Sequence, residues 1–130
     1  MPCSYHRLLR KEDEMKSDEY EKAFKALANE QRLKIMYLLY CVDDKATVSE
    51  LAHVFQDSES NSSRQLKILK EAGFLEKHRA GKWTYYSVGE QTDKFLFAIL
   101  DVLAMIPEEF VAQEIERCKE LISQGRELSF

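Results

Sequence analysis

Cysteine is scarce in this 130-residue chain, and its placement excludes two common uses of the residue. The three cysteines, Cys3, Cys41 and Cys118, are odd in number and lie far apart in the sequence. No Cys-x-x-Cys pair or Cys/His cluster accompanies them. A disulfide framework and a zinc finger are therefore not indicated, and we expect reduced thiols and no metal site.

Long apolar runs are also missing. The chain contains no stretch of about 18 apolar residues, the length that a membrane-spanning helix needs. Its first twenty residues are heavily charged and lack the apolar core of a signal peptide. We therefore expect a cytoplasmic protein that has no membrane partner.

The residue patterns of enzyme active sites are absent as well. We find no activated nucleophile, no paired catalytic carboxylates, no phosphate-binding loop and no metal cluster. The sequence therefore predicts a protein that is not an enzyme and uses no cofactor. With 45% hydrophobic and 32% charged residues, the composition is that of one ordinary globular domain.

What the chain does have is an uneven distribution of charge. Its net charge is −4, and from residue 89 onward nine acids face four bases. Between residues 64 and 82, two acids face six bases, namely Arg64, Lys67, Lys70, Lys77, Arg79 and Lys82. A basic surface on an acidic body is typical of a phosphate-binding face, although a solvated helix face would explain the same counts.

Hydrophobic residues at helical spacing predict two helices before residue 42. The first contains Tyr20, Ala23, Phe24 and Leu27, and its expected N-cap is Ser17 or Asp18. Asn29 is the expected N-cap of the second helix, whose wide apolar face indicates a central, buried position. A short strand is predicted at residues 46–48.

Two further helices and a hairpin are predicted next. We expect Ser49 to cap a short helix over residues 50–55, and Ser58 to cap a longer helix that ends at Ala72. Gly73 provides the left-handed residue that ends this helix. Strand segments 74–78 and 83–88 then pair as a hairpin around Arg79-Ala80-Gly81-Lys82.

The last third of the chain is predicted to be helical. A very apolar helix follows Gly89, and Pro107 ends it and can begin the next. That final helix is predicted to carry a narrow apolar seam of coiled-coil type. Its residues, separated by four, three and four positions, are Val111, Ile115, Cys118 and Ile122.

The predicted fold class is mainly α with a small β-hairpin, in the order α-α-β-α-α-β-β-α(-α). A polar-faced helix followed at once by a basic hairpin is the layout of a winged helix-turn-helix, which places one helix in a groove of DNA. We divide the chain into an N-terminal arm (1–16), a DNA-binding domain with dimerisation helices (17–106) and a C-terminal helical extension (107–130).

The chain resembles the arsenic/metal-responsive repressor family of the ArsR/SmtB type. FKALANEQRLKIMYLL (24–39) is similar to the family's opening helix, and VSELAHVF (48–55) to the first helix of its DNA-binding motif. SESNSSRQLKILKEAGFLEKHRAGKWTYYSV (58–88) is similar to its recognition helix and wing. The resemblance covers most of the chain and implies a homodimer that binds an operator and dissociates from it when an inducer arrives.

Residues of the helix after Ser58 and of the hairpin are predicted to contact double-stranded operator DNA. Arg64 can pair with guanine, and Gln65 can read adenine if it points into the major groove. The lysines and the hairpin cations are expected to contact phosphates. The predicted DNA-binding set is Ser58, Glu59, Ser60, Asn61, Ser63, Arg64, Gln65, Lys67, Lys70, Arg79 and Lys82.

Three features of this region carry separate predictions. Ser62 stands on the buried face, where the family usually has an apolar residue, so we expect its hydroxyl to bond to the preceding helical turn. Gln56 replaces a usual glycine and is expected to strain or reshape the turn. We expect the strand aromatics to pack on the core rather than to stack on bases, namely Trp83, Tyr85 and Tyr86.

The positions at which family members bind metals hold other residues here. Members that sense thiophilic metals carry Cys-x-Cys where this chain has Thr47-Val48-Ser49. Zinc-sensing members use histidine and carboxylates on the helix after the wing, and residues 90–106 contain no histidine. The chain is therefore predicted to lack both metal sites, and its effector is unknown.

Cys41, Cys118 and Cys3 are candidates for a thiol sensor. They are either small buried hydrophobes with one exposed thiol, or the parts of a redox or persulfide switch. Such a switch needs two cysteines within about 7 Å, Cα to Cα. A metalloid site that includes Cys3, a small apolar ligand between the helices, or no ligand at all would also fit the sequence.

The sequence thus favours a dimeric, sequence-specific transcriptional regulator, a repressor released by a thiol change or a small ligand. The alternative is a winged-helix module that uses the same face to bind a protein. Salt separates the two hypotheses, because DNA affinity falls steeply with salt when cations neutralise phosphates.

Overall fold

Two helices open the part of the chain that the computed structural model describes, which is residues 16–42, 45–89 and 93–123. Helix α1 spans Ser17–Leu27 and α2 spans Glu30–Tyr37, after which a π-helical turn covers Leu38–Val42. The side chain of Asn29 accepts from the N–H of Arg32 at 3.0 Å, which confirms it as the cap of α2.

The start of α1 differs from the prediction. The N-cap is Lys16 rather than Ser17 or Asp18. Its backbone N–H donates to the carboxylate of Glu19 at 3.1 Å. A glutamate three residues into the helix thus satisfies a free N–H, and no hydroxyl or aspartate is needed at the cap.

Strand β1 spans Lys45–Thr47 and leads directly into α3, Val48–Val54. The predicted cap of α3, Ser49, was wrong, because Thr47 occupies that position. The Thr47 hydroxyl accepts from the N–H of Glu50 at 3.2 Å, and the Glu50 carboxylate accepts from the N–H of Thr47 at 2.8 Å. This reciprocal pair is a capping box, and it begins the helix earlier than expected.

Helix α4 spans Glu59–Glu71 and has the two ends that the sequence predicts. The Ser58 hydroxyl accepts from the N–H of Asn61 at 3.0 Å. At the other end Gly73 has a φ of 95°, and the N–H groups of Gly73 and Phe74 donate to the carbonyls of Lys70 and Leu69. This Schellman arrangement ends α4 and sends the fully buried Phe74 into the core.

Strands β2 (Leu75–Ala80) and β3 (Trp83–Val88) form the predicted antiparallel hairpin, in which Ala80 pairs with Trp83. Gly81, at a φ of 61°, permits the two-residue turn between them. Strand β1 pairs antiparallel with the other edge of β3, so the sheet order is β1-β3-β2. The hairpin is the wing, and it lies directly after α4.

The C-terminal part contains α5 (Lys94–Leu103), a 3-10 turn (Glu108–Val111) that Pro107 introduces, and α6 (Ala112–Ser123). The predicted apolar seam is confirmed at Val111, in the 3-10 turn, and at Cys118 of α6, but not at Ile115. Ile115 is only half-buried, whereas the buried positions are Val111, Glu114, Cys118 and Leu121. Helix α6 packs on α3 of its own chain, and the side chain of Ile122 lies outside the described part of the structure.

The core lies between the helices and the inner face of the sheet. Its largest fully buried side chains include Ile35, Met36, Leu51, Leu66, Leu69, Phe74 and Leu100. Leu66 and Leu69 anchor α4, as predicted. The fold is therefore mainly α with a small antiparallel sheet, in the predicted order of elements. None of the helices in the described ranges combines the length and apolarity required to cross a bilayer.

Candidate nucleic-acid interface

Helix α4 separates an apolar face from a polar one. Its helical period turns Leu66 and Leu69 into the core, where both are fully buried. The residues that are exposed on and beside the opposite face are Ser58, Glu59, Ser60, Ser63, Arg64, Lys67 and Lys70. Hydroxyl groups and cations thus share one solvent-facing side of the helix.

The wing adds positive charge next to this helix. Lys77, Arg79 and Lys82 are all exposed, and Lys82 lies in the turn. The wing lies beside α4, because β2 packs against that helix. On the adjacent strand β3, burial raises the pKa of Tyr86, and the positive charge of Lys67 on α4 opposes this rise. We call the exposed side of α4 together with the wing cations the basic surface. Its six cations are Arg64, Lys67, Lys70, Lys77, Arg79 and Lys82.

Two predicted DNA-contacting residues, Asn61 and Gln65, are half-buried and bonded within the protein. The Gln65 carbonyl oxygen accepts from Nη1 of Arg32 at 2.7 Å, and its Nε2 lies 3.5 Å from Oδ1 of Asn61. Asn61 in turn donates through Nδ2 to the carboxylate of Asp57. The Gln65 amide therefore faces α2 and not the exposed side of α4.

Sequence reasoning did not identify the partners of these amides, which are Gln31, Arg32 and Asp57. Gln31 donates to Asp57 at 3.0 Å. Hydrogen bonds from Asn61, from Gln31 and from the backbone N–H of Ser58 lower the pKa of Asp57. A signal was available, because residues 57, 61 and 65 are four apart and place a carboxylate just before α4 and two amides along one side of it.

The predicted burial of Ser62 is confirmed, but the predicted hydrogen bond of its hydroxyl is wrong. Its side chain is 1% exposed, and its Oγ has no hydrogen-bond partner in the described ranges. The carbonyl of Ser58, one turn earlier, accepts instead from the backbone N–H of Ser62 at 3.0 Å. An unpaired buried hydroxyl of this kind costs about 1–3 kcal/mol.

The prediction for Gln56 is confirmed. Its φ is 52°, which makes it the one non-glycine residue with a positive φ in residues 16–42, 45–89 and 93–123. A side chain in this left-handed region costs about 1–2 kcal/mol relative to the ordinary helical region. The turn between α3 and α4 is therefore strained.

The aromatic residues of β3 are divided between the two faces of the sheet. Tyr86 is buried and Tyr85 half-buried. Trp83 is 53% exposed, contrary to the prediction, because it begins β3 beside the turn at the tip of the wing, away from the core. The ammonium of Lys82 lies 5.4 Å from the centre of the Trp83 ring.

The thiols have different environments. Cys118 is buried, and burial together with the charges of Glu50 and Glu114 raises its pKa from 9.0 to about 11. Cys41 is exposed, and partial burial of its sulfur raises its pKa as well. Neither environment favours a reactive thiolate near neutral pH. Cys3 lies outside the described residues.

The residues at the family's thiol-metal positions belong to the start of α3. The Thr47 hydroxyl serves as the helix cap, and Ser49 lies in the first turn. Within the described ranges, no group of three or more histidine, cysteine, aspartate or glutamate side chains is arranged to hold a metal ion.

Comparisons with known proteins identify one family. The profile of the bacterial regulatory proteins of the arsR family matches residues 29–77. The chain is 42% identical over 82 residues to the arsenical resistance operon repressor of Bacillus subtilis. This alignment covers 61% of our chain and 77% of the Bacillus protein. The chain is 32% identical over 98 residues to the arsenic resistance transcriptional regulator ArsR1 of Pseudomonas putida, covering 75% and 76%.

A solved structure agrees with these matches. It is the homodimeric winged helix-turn-helix DNA-binding domain of a possible ArsR-family transcriptional regulator from Mycobacterium bovis. The identity is 32%, the TM-score is 0.56, and the match covers 67% of this chain and 79% of that one. Our chain therefore belongs to the arsR family of bacterial regulatory proteins and is a DNA-binding transcriptional repressor, not an enzyme.

Proposed function

We propose that the protein is a homodimer that binds a double-stranded operator through α4 and the wing and represses transcription in the cytoplasm. The observation that carries this proposal is the basic surface, whose six cations are all exposed. Short side chains at Ser60 and Ser63 let α4 approach the floor of the major groove, and Arg64 beside them can form two hydrogen bonds to guanine. The remaining cations are suited to phosphates.

The proposed dimer contact is an apolar surface on α1 and α5. Phe24 and Tyr20 of α1 pack edge-on against Phe95 of α5, with ring centres 5.6 and 4.8 Å apart, so the two helices form one surface. Large apolar side chains stay exposed on and beside it, namely Phe24, Phe97, Val102 and Met105, the last 80% exposed. Exposed apolar side chains on two packed helices favour a protein partner, and a second copy is the occupant that the Mycobacterium bovis relative supports.

The proposed releasing signal is a thiol change or a small ligand rather than a metal at the family's usual sites. Several relatives are named for arsenic or cadmium resistance. In this chain the cysteine positions of such sites are Thr47 and Ser49, which form the beginning of α3 and offer no thiolate. Of the two cysteines in the described ranges, Cys41 is the more accessible.

The DNA-binding proposal is tested by selecting duplexes from a randomised pool with the purified protein and measuring their affinity between 50 and 200 mM salt. A site-specific repressor enriches a defined sequence and loses affinity by orders of magnitude across this range. A flat response to salt would instead support the protein-binding alternative. Sedimentation at micromolar concentration tests the dimer, which a monomeric chain would contradict.

The signal is tested on the selected duplex with the wild type beside Cys41→Ser and Cys118→Ser. Each protein is exposed to an oxidant, to a persulfide donor and to a panel of metal ions. Release by oxidant or persulfide that Cys41→Ser abolishes supports thiol sensing. Release by a thiophilic metal that both variants retain would contradict the proposal.

A further inference from the structure

Arg32 joins three helices of the domain. It lies in the first turn of α2 and is half-buried. Its Nε donates to the carbonyl of Ala26 at 2.6 Å and its Nη2 to that of Lys25 at 3.3 Å, at the end of α1. Its Nη1 donates to Gln65 on α4 at 2.7 Å. A planar guanidinium can make these three contacts at once, whereas a lysine ammonium cannot reproduce the fork.

The contact with Gln65 continues along α4 to the turn that precedes it. Gln65 meets Asn61, Asn61 donates to Asp57, and Asp57 also accepts from Gln31 of α2 at 3.0 Å. Helix α2 therefore holds α4 at Gln65 and holds the turn before α4 at Asp57, eight residues earlier. Two separated points fix both the position of a helix along its axis and its rotation about that axis, which one point cannot do.

This arrangement has a consequence for the neighbouring Arg64. Consecutive helix residues are separated by about 100° of rotation, so fixing Gln65 against α2 directs Arg64 to the exposed side. A small rotation of α4 would move Arg64 and Ser60 relative to the bases. Direct readout depends on donor positions accurate to a fraction of an ångström.

We infer that Arg32 is a positioning residue for DNA recognition, which acts through Gln65 to set the rotation of α4 and thereby the base contacts of Arg64. The inference rests on the proposed function. Gln65 belongs to this support and does not itself read a base. Because Arg32 also binds the end of α1, it connects the proposed dimer surface to the recognition helix.

The test compares Arg32→Lys, Gln65→Met and the double variant on two duplexes. One duplex is the sequence that the wild type selects, and the other is an unrelated sequence of equal length. Arg117→Lys and Gln113→Met are matched controls: Arg117 also donates to a backbone carbonyl, that of Val54 at 3.0 Å, and Gln113 is an exposed glutamine of α6. The thermal midpoint of each variant is measured in parallel.

We expect each single variant to lose about tenfold in affinity for the selected duplex, because a hydrogen bond to a charged group is lost. Affinity for the unrelated duplex should change by about twofold or less, since phosphate contacts dominate non-specific binding. The double variant should lose no more than the stronger single variant, because both changes break the same contact. The controls should keep the wild-type ratio of the two affinities.

Three outcomes would overturn the inference. Losses that multiply in the double variant, or a Gln65→Met loss confined to one base pair, would mean that Gln65 reads a base directly. Equal losses on both duplexes that follow the thermal midpoint would mean that Arg32 only stabilises the fold. If the wild type selects no sequence, the proposed function fails and the inference fails with it.

Discussion

The cations of the basic surface contrast with those of the helical flank, by which we mean the parts of α2 and α6 that contain Lys34, Glu114, Arg117 and Cys118. Arg64 and its five companions on α4 and the wing are exposed, and none forms an ion pair with an acid in the described ranges. In the flank, Lys34 and Arg117 lie 3.3 and 4.0 Å from the buried carboxylate of Glu114. The same residue types thus stay exposed and, among the described residues, without an ion-pair partner in one region and hold helices together in the other.

The cations that hold helices together in the flank are partly buried. The side chains of Lys34 and Glu114 are 19% and 7% exposed, and the Lys34 ammonium also lies 5.4 Å from the centre of the Phe110 ring. Arg117 donates to the carbonyl of Val54 at the end of α3. One oxygen of Glu114, Oε1, has no partner in the described part of the chain. Partial burial makes these contacts count for stability, whereas exposed pairs contribute little.

The largest expected effect tests the basic surface. Arg64→Ala should weaken binding to the selected duplex by about 10- to 100-fold and relax the preference for one base pair, because a bidentate contact to guanine is lost. The dimer should persist, because Arg64 is not among the residues of the proposed α1–α5 surface. Fluorescence anisotropy and sedimentation measure the two properties. Unchanged affinity would falsify the groove-facing assignment of Arg64.

The matched control for this comparison is Lys119→Ala. Lys119 is an exposed cation of α6 that pairs with Glu116 at 3.3 Å. Removing it changes the net charge by the same amount as Arg64→Ala but leaves the basic surface intact. If both variants lost affinity equally, the effect of Arg64 would come from overall charge and the distinction between the two regions would fail.

The second prediction concerns the flank. Lys34→Met should lower the free energy of unfolding by about 2 kcal/mol, because it leaves the buried Glu114 carboxylate with the more distant Arg117 alone. Lys119→Met, which breaks an exposed pair, should cost about 0.5 kcal/mol or less. Urea denaturation measures both. Equal costs would show that burial does not distinguish these ion pairs.

The sequence predicted the elements of both regions better than it predicted their contacts. The caps Asn29, Ser58 and Gly73 were identified because each acts on its own neighbours in sequence. The roles of Arg32 and Glu114 depend on residues 33 and 80 positions away, Gln65 and Lys34, and no local pattern shows them. For Ser62 the helical period correctly predicted burial but not the hydroxyl's hydrogen bonding, which the local pattern does not determine.

The predicted DNA-contacting residues fall between the caps, which depend on sequence neighbours, and residues such as Arg32 and Glu114, which depend on distant partners. Helical periodicity correctly placed Leu66 and Leu69 inside and Arg64 outside. Gln65 lies only one position from Arg64, and its orientation depends on whether α2 offers a donor. That information is in the tertiary structure, so sequence reasoning left Gln65 as a conditional base contact, and the DNA contacts themselves stay predictions.

A third prediction concerns strain beside the basic surface. Gln56→Gly should raise the free energy of unfolding by about 1 kcal/mol, because glycine adopts the φ of 52° without a Cβ clash, although its unfolded chain is more flexible. Gly81→Ala is the opposite substitution and should lower the free energy of unfolding. The φ of 61° in the wing turn disfavours a side chain even though no atom of the described residues would clash with the added Cβ. Urea denaturation of both variants should give shifts of opposite sign, and two shifts of the same sign would contradict the strain argument.

The smallest expected effect tests how closed the flank is around Cys118. Its pKa is raised from 9.0 to about 11, mainly by burial, so the folded state keeps a proton that the unfolded state has lost. The resulting stability is complete below pH 9 and is lost as pH rises towards 11. Relative to Cys118→Ala, the wild type should therefore lose about 1 kcal/mol between pH 8 and 10. Urea denaturation at both pH values measures this difference, and parallel pH profiles of the two proteins would mean that the Cys118 thiol is accessible in the folded state and that the flank is open.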